Sequence, residues 1–130
     1  AIDSAQAAFP AWRNTPPAKR AQVMFRFKQL LEANEQRIAQ LISEEHGKTI
    51  EDAVGELKRG IENAEFASAA PEILKGEYSR NVGPNIDAWS DLQPIGVVAG
   101  ITPFNFPAMV PLWMYPLAIA CGNCFILKPS

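Results

Sequence analysis

The chain has 130 residues, 48% of them hydrophobic, with 12 Lys and Arg against 14 Asp and Glu, a formal charge of −2 and a pI near 5.4. That is one globular domain's worth of sequence. Its mildly acidic balance lacks the basic footprint expected of a partner for nucleic acid or an anionic membrane surface.

The first half predicts helices. Ile2 to Phe9 reads as a short alanine-rich helix that Pro10 breaks. Thr15 is placed to cap a second helix with Pro16 or Pro17 in its first turn, and Val23, Met24, Phe27, Leu30 and Leu31 recur at helical spacing. Asn34 opens a third helix with Ile38, Leu41 and Ile42 inward, ended by Gly47. A fourth starts at Thr49, with Asp52 three residues on, carries Ala53, Val54, Leu57, Ile61 and Ala64 on one face, and runs to Ala70 before Pro71. From Glu72 to Pro84 the pattern fades into connections.

The second half predicts sheet and turn. Ile86 to Leu92 alternates as a strand with a wetter face of Asp87, Trp89 and Asp91, and Pro94 ends it. Ile95 to Ile101 is continuously apolar or glycine, the pattern of a strand covered on both faces. A proline-bracketed loop, an apolar helix to Cys121, a Gly122-Asn123 turn and a second buried strand, Cys124 to Leu127, complete one βαβ unit. The fold class is therefore α/β, with N-terminal helices packed on the start of a Rossmann-like parallel sheet. Three parts are expected: helices over 1–85, a separate strand in 86–94, and the βαβ unit over 95–130.

A start at Ala1 and a stop at Ser130, directly after an apolar strand, lead us to expect a piece of a longer chain. The apolar run Phe106 to Cys121 contains three prolines and falls short of the roughly 20 residues of a membrane span, so a buried helix is expected. No secretory signal pattern opens the chain. A cytoplasmic location is expected, the alternative being a mitochondrial leader ahead of Ala1.

The chemistry concentrates at the carboxyl ends of the two apolar strands. Ile101-Thr102-Pro103-Phe104-Asn105-Phe106-Pro107 presents one amide in a stiffened loop. Asn105 is either a turn asparagine bonding its own backbone or a preorganised donor for an oxyanion. Lys128, at the end of the second strand, is either a solvated lysine or a cation directed at a cofactor's ribose or phosphate. Open α/β sheets bind ligands at this rim. Cys121-Gly122-Asn123-Cys124 has redox spacing, but Cys121 falls at a helix C-terminus, whose dipole disfavours thiolate. Zinc lacks further ligands, since His46 is far off on another element, so buried packing cysteines are expected and no metal site. Arg59 lies opposite Leu57 and Ile61, on a solvated face or one that Gly55 and Phe66 turn towards a neighbour. His46 fits a cation at a helix C-terminus. No G-x-G-x-x-G fingerprint occurs.

Several longer stretches carry a resemblance: Glu45-His46-Gly47-Lys48-Thr49, Arg59-Gly60-Ile61-Glu62, Gly100 to Pro107, Cys121-Gly122-Asn123 and Phe125 to Ser130. Over essentially all 130 residues the chain resembles the N-terminal part of the aldehyde dehydrogenase superfamily. Phe104, where most members carry tryptophan, and the Trp113-Met114 helix resemble its CoA-acylating (methyl)malonate-semialdehyde branch. The resemblance implies that a cysteine thiolate attacks the aldehyde, hydride passes to NAD, and the thioacyl enzyme loses CO₂ before transfer to coenzyme A, giving propionyl-CoA or acetyl-CoA. It implies that the Asn105 amide holds the oxyanion, that Ile101, Thr102, Pro103, Phe104 and Lys128 line the NAD site, and that Arg59 holds the substrate carboxylate. It also implies that strand 86–94 belongs to an oligomerisation region of a dimer or tetramer. The family's nucleophile and general base have no match in this chain, so no turnover by it alone is expected. A hydrolytic aldehyde dehydrogenase is the rival within the class. A non-catalytic helical module that docks a partner on helix 107–121 is the rival outside it.

Overall fold

A computed structural model describes residues 1–130 and places six helices and four strands in chain order. They are α1 (Ile2–Arg13), α2 (Pro17–Ala33), α3 (Glu35–His46), α4 (Ile50–Ala67), α5 (Ala70–Ile73), β1 (Tyr78–Gly83), β2 (Ile86–Trp89), β3 (Val97–Ile101), α6 (Met109–Ala120) and β4 (Cys124–Lys128). The α/β class holds: β3 and β4 pair in parallel, Val97 opposite Cys124 through Ile101 opposite Lys128, with α6 as the crossover. Helix α4 is the hub, packing on α6, α3 and α2, while α1 lies against β4.

The helix caps differ from expectation in instructive ways. Pro10 does not break α1, which runs on to Arg13. The carbonyl that Pro10 leaves without its helical partner belongs to Gln6, which is exposed, and Trp12 in the last turn is anchored by its indole N–H on the Ile119 carbonyl at 2.8 Å. Thr15 does not cap α2: its hydroxyl turns back to the Ala11 carbonyl, and Pro16 occupies the cap position with Pro17 following. Two consecutive prolines leave few N–H groups for a cap to satisfy. Asn34 opens α3 by position only, because its amide donates to Leu30 at the end of α2. Thr49 does cap α4, its oxygen accepting the Asp52 N–H, and Gly47 ends α3 at φ 87°, in the left-handed region. Helix α4 stops at Ala67 rather than Ala70, where Ser68 and Ala69 tighten the last turn and Ala70 opens a separate short helix with Pro71 in its first turn.

Strand β1 was not expected. Its sequence does not alternate, because the pairing with β2 is irregular between Ser79 and Gly83, with Asn81 at φ 55°. The irregularity is braced by Asp87, which accepts the Asn81 N–H at 2.9 Å and the Tyr78 hydroxyl. The Tyr78 hydroxyl and the Asn81 N–H hold the Asp87 carboxyl below the ordinary aspartate range. Strand β2 ends at Trp89, and all four of its residues are exposed, so the expected contrast between a wet and a dry face is absent. The hairpin meets no other sheet.

Strand β3 is likewise less covered than its apolar sequence predicts. It begins at Val97, not Ile95, because the Asn123 side-chain oxygen draws off the N–H groups of Ile95 and Gly96. Ile95 and Ile101 are 87% and 77% exposed, since the strand has β4 as its one neighbour.

The core sits among the helices in three small clusters: Met24, Ala67, Ala70 and Ala120; Ala39, Ile42 and Ala53; and Leu57, Ile61 and Leu112. Alanine and glycine set the helix spacing. A Cβ on Gly60 would stand 2.5 Å from Leu112 Cδ1 and 3.0 Å from Leu112 Cβ, so α4 and α6 touch at the backbone of α4. Gly60→Val is expected to overpack this contact and cost about 1–3 kcal/mol in urea unfolding; an unchanged midpoint would mean the two helices do not meet there.

Candidate active site

The parallel register alone brings two sequence-distant strand ends to one rim. Ile101 stands opposite Lys128, and Thr102 continues the ladder by donating its N–H to the Lys128 carbonyl at 3.2 Å. Thr102 is buried, whereas Ile101, Pro103, Phe104, Asn105 and Lys128 are exposed. A cleft of about 260 Å³ opens at this rim, lined by Glu45, His46, Thr102, Phe104, Pro107, Pro129 and Ser130. Of the residues predicted for the site, Thr102 and Phe104 are thus walls of the cleft, whereas Ile101, Pro103, Asn105 and Lys128 adjoin lining residues in sequence and do not themselves line it. A larger hollow of about 590 Å³ between α1 and β4 is overwhelmingly apolar and away from the loop. The smaller cleft is the better candidate, because polar groups converge on it.

His46 enters the site from the end of α3. Its ring stacks on Phe104 with centroids 4.7 Å apart and an angle of 23°, and its Nδ1 is buried with no hydrogen-bond partner in the protein. An orphaned polar atom on a cleft wall marks where a ligand or water is to be met.

The Asn105 loop is held from below by Glu56 and Lys48. Glu56 is fully buried in the middle of α4. One of its oxygens accepts the N–H groups of Ala108 and Met109 at 2.8 and 3.0 Å, the first orphan donors of α6. The other accepts the Lys48 ammonium at 2.5 Å. Lys48 also donates to the Asn105 carbonyl at 2.9 Å and lies 4.7 Å from the centre of the Phe106 ring. Arg59 approaches that same ring at 6.0 Å. The residue after the loop asparagine is therefore an aromatic ring with two cations against it.

Arg59, exposed on α4 as its spacing suggested, is brought beside the loop by the packing of α4 on α6. Neither Lys48 nor Glu56 was singled out from the sequence as a site residue. The signal was present for Glu56: it lies at helical spacing from Ala53 and Gly60, on the apolar face of α4, and a carboxylate there needs a partner. For Lys48 no comparable signal exists, because its partners are eight and 57 residues away.

Both cysteines are free and only partly buried, less covered than the buried packing role expected of them. Burial pushes the Cys121 thiol up, with the Arg20 guanidinium acting weakly the other way. This disfavours thiolate at Cys121. No group of three or more His, Cys, Asp or Glu side chains is placed to hold a metal ion.

Glu56→Ala removes the acceptor for two N–H groups and strands the Lys48 charge. It is expected to cost about 3–5 kcal/mol of unfolding free energy. Glu56→Gln, which keeps an oxygen for Ala108 and Met109, is expected to cost less. Equal losses for the two would show that the N–H bonds contribute nothing.

The sequence profile of the aldehyde dehydrogenase family matches residues 1–130. A malonate-semialdehyde dehydrogenase of Pseudomonas aeruginosa is 88% identical over all of this chain and 26% of its own length. A Dictyostelium discoideum protein named probable methylmalonate-semialdehyde/malonate-semialdehyde dehydrogenase, acylating, mitochondrial, is 52% identical over all of this chain and 25% of its own. A Sinorhizobium meliloti structure assigned as a methylmalonate-semialdehyde dehydrogenase and complexed with NAD is 53% identical, with a TM-score of 0.95, over 99% of this chain and 26% of that one. The chain spans about a quarter of the length of the relatives it matches.

Proposed function

The chain belongs to the aldehyde dehydrogenase family, and from that premise we propose that it is the N-terminal part of an NAD-dependent enzyme oxidising malonate or methylmalonate semialdehyde, with loss of CO₂ and acyl transfer to coenzyme A. The observation that carries this reading is the shared rim, where the Asn105 loop projects from β3 beside the end of β4. High identity to a malonate-semialdehyde dehydrogenase supports the substrate class. The NAD complex of one relative supports the cofactor, and the acylating name of another supports coenzyme A.

The residues fit a dinucleotide. The cleft offers a threonine hydroxyl, an aromatic face and the unpartnered His46 Nδ1, and a lysine stands at the adjoining strand end. Bound NAD supplies the electron-pair acceptor for the oxidation. In this reading Ile101, Thr102, Pro103 and Phe104 would line the NAD site, and Lys128 would meet the adenosine ribose. Asn105 donates its amide to the oxyanion that forms when the aldehyde carbonyl is attacked. Losing one such donor costs about 10²–10³ in rate. Arg59 binds the substrate carboxylate, a task suited to a planar guanidinium.

The nucleophilic thiol and the general base belong to residues outside 1–130. The raised Cys121 thiol supports a packing role for that cysteine instead. The β1–β2 hairpin, with Tyr78, Val82, Ile86 and Trp89 exposed, belongs in this reading to the oligomerisation surface of a homo-oligomer. No helix is long and apolar enough to cross a membrane, and a cytoplasmic enzyme is proposed.

Assay of the full-length enzyme with and without coenzyme A tests the reading. Turnover is expected to require coenzyme A and to release an acyl-CoA; a free acid formed at full rate without it would favour the hydrolytic rival. Arg59→Ala is expected to lower kcat/KM for a carboxylate-bearing semialdehyde about 10-fold or more while sparing propanal, the loss of a charge-assisted pair. Equal losses on both substrates would remove Arg59 from the substrate site.

A further inference from the structure

We propose that Lys48 is a positioning residue for the reaction: it fixes the peptide that carries the Asn105 amide. The inference rests on the reading of Asn105 as the oxyanion donor. The two prolines of the loop restrain φ at Pro103 and Pro107 and bias the residues before them, but neither restrains ψ of Asn105. The orientation of the Asn105 carbonyl reports that torsion, and Lys48 Nζ holds this carbonyl at 2.9 Å.

Lys48 is itself fixed at both ends. It sits in the short link between α3 and α4, after left-handed Gly47 and before the Thr49 cap. The Ser43 hydroxyl donates to its carbonyl at 2.7 Å. Its side chain is 11% exposed, against fully buried Glu56. Glu56 cannot drift, because its other oxygen is occupied by two N–H groups of the α6 terminus. A chain of short contacts therefore runs from the core of α4 through an ammonium to the backbone of the one loop residue whose amide is offered to the substrate. Misplacing such a group by about 1 Å can cost 10²-fold in rate. The ammonium touches neither substrate nor cofactor in this account, so its effect is felt in the rate of the chemical step rather than in binding.

The test uses the full-length enzyme and reads kcat, KM for the semialdehyde, NAD affinity and the unfolding midpoint. Lys48→Met keeps the apolar stem and removes the charge. It is expected to lower kcat by about 10- to 100-fold, leaving KM and NAD affinity little changed. It also leaves one Glu56 oxygen without its cation, so the midpoint falls. The double variant Lys48→Met/Glu56→Gln removes both charges and keeps an acceptor for α6; it is expected to recover the midpoint but not kcat. In an Asn105→Ala background, Lys48→Met is expected to cost no further rate, because the amide it aims is gone. Recovery of kcat together with the midpoint would reduce Lys48 to a structural ion pair and overturn the proposal, as would fully additive rate losses with Asn105→Ala. If Asn105→Ala is slow but Lys48→Met turns over at the wild-type rate, this inference alone falls. If Asn105→Ala itself keeps full rate, the oxyanion reading falls and takes the inference with it.

Discussion

The structure depends on how the polar ends of one apolar helix are satisfied. Helix α6 carries no charged side chain from Met109 to Ala120. Hydrophobic burial is non-directional, so it draws such a helix inward without choosing its register. The choice is made at its ends. Glu56 of α4 accepts the first N–H groups. At the other end the Trp12 indole and the Arg20 guanidinium donate to the carbonyls of Ile119 and Ala120, each at 2.8 Å. An unmet buried polar group costs about 1–3 kcal/mol, so each bond penalises a sliding helix. The charges also have the right sign: a carboxylate at the N-terminus and a cation at the C-terminus both oppose the dipole.

That arrangement gives the strand rim its geometry. With α6 fixed at both ends, the loop leading into it has a defined landing point at Ala108, and the loop's other end is fixed by the Thr102–Lys128 pairing of the sheet. The segment between must close that gap with Asn105 at its turn. Arg20 shows the cost of such design: it is nearly fully buried, and burial pushes its guanidinium below the ordinary arginine range, so it is surrounded by the carbonyls of Ala120, Arg13 and Thr15. Tyr115, in the middle of α6, is pushed up to about 12 by burial and stays a neutral phenol among Phe27 and Phe125.

Local pattern carried much of this, and its failures have identifiable physics. The Thr49 cap, the Gly47 stop and the βαβ order were legible because each depends on residues close in sequence. Strand β1 was not legible, because a bulge at Asn81 destroys the two-residue period. The continuously apolar β3 was read as covered on both faces, and here it has a single neighbouring strand. Among the site candidates, Asn105 and Lys128 could be singled out because proline brackets and strand ends are visible in one dimension. Lys48 and Glu56 were not, since their meaning comes from α4 packing under a loop some 50 residues later. Arg59 was ambiguous for the same reason: its helix face was clear, its neighbour Phe106 was not.

Amide hydrogen exchange at Ala108 and Met109 tests the central claim most directly. The first N–H groups of a helix lack intrahelical partners and ordinarily exchange fast. If a buried carboxylate holds both, they are expected to exchange as slowly as Leu112 in the first full turn of the same helix. Exchange at the rate of an open helix end would mean that Glu56 does not grip α6, and the account of the loop built on that grip would fail.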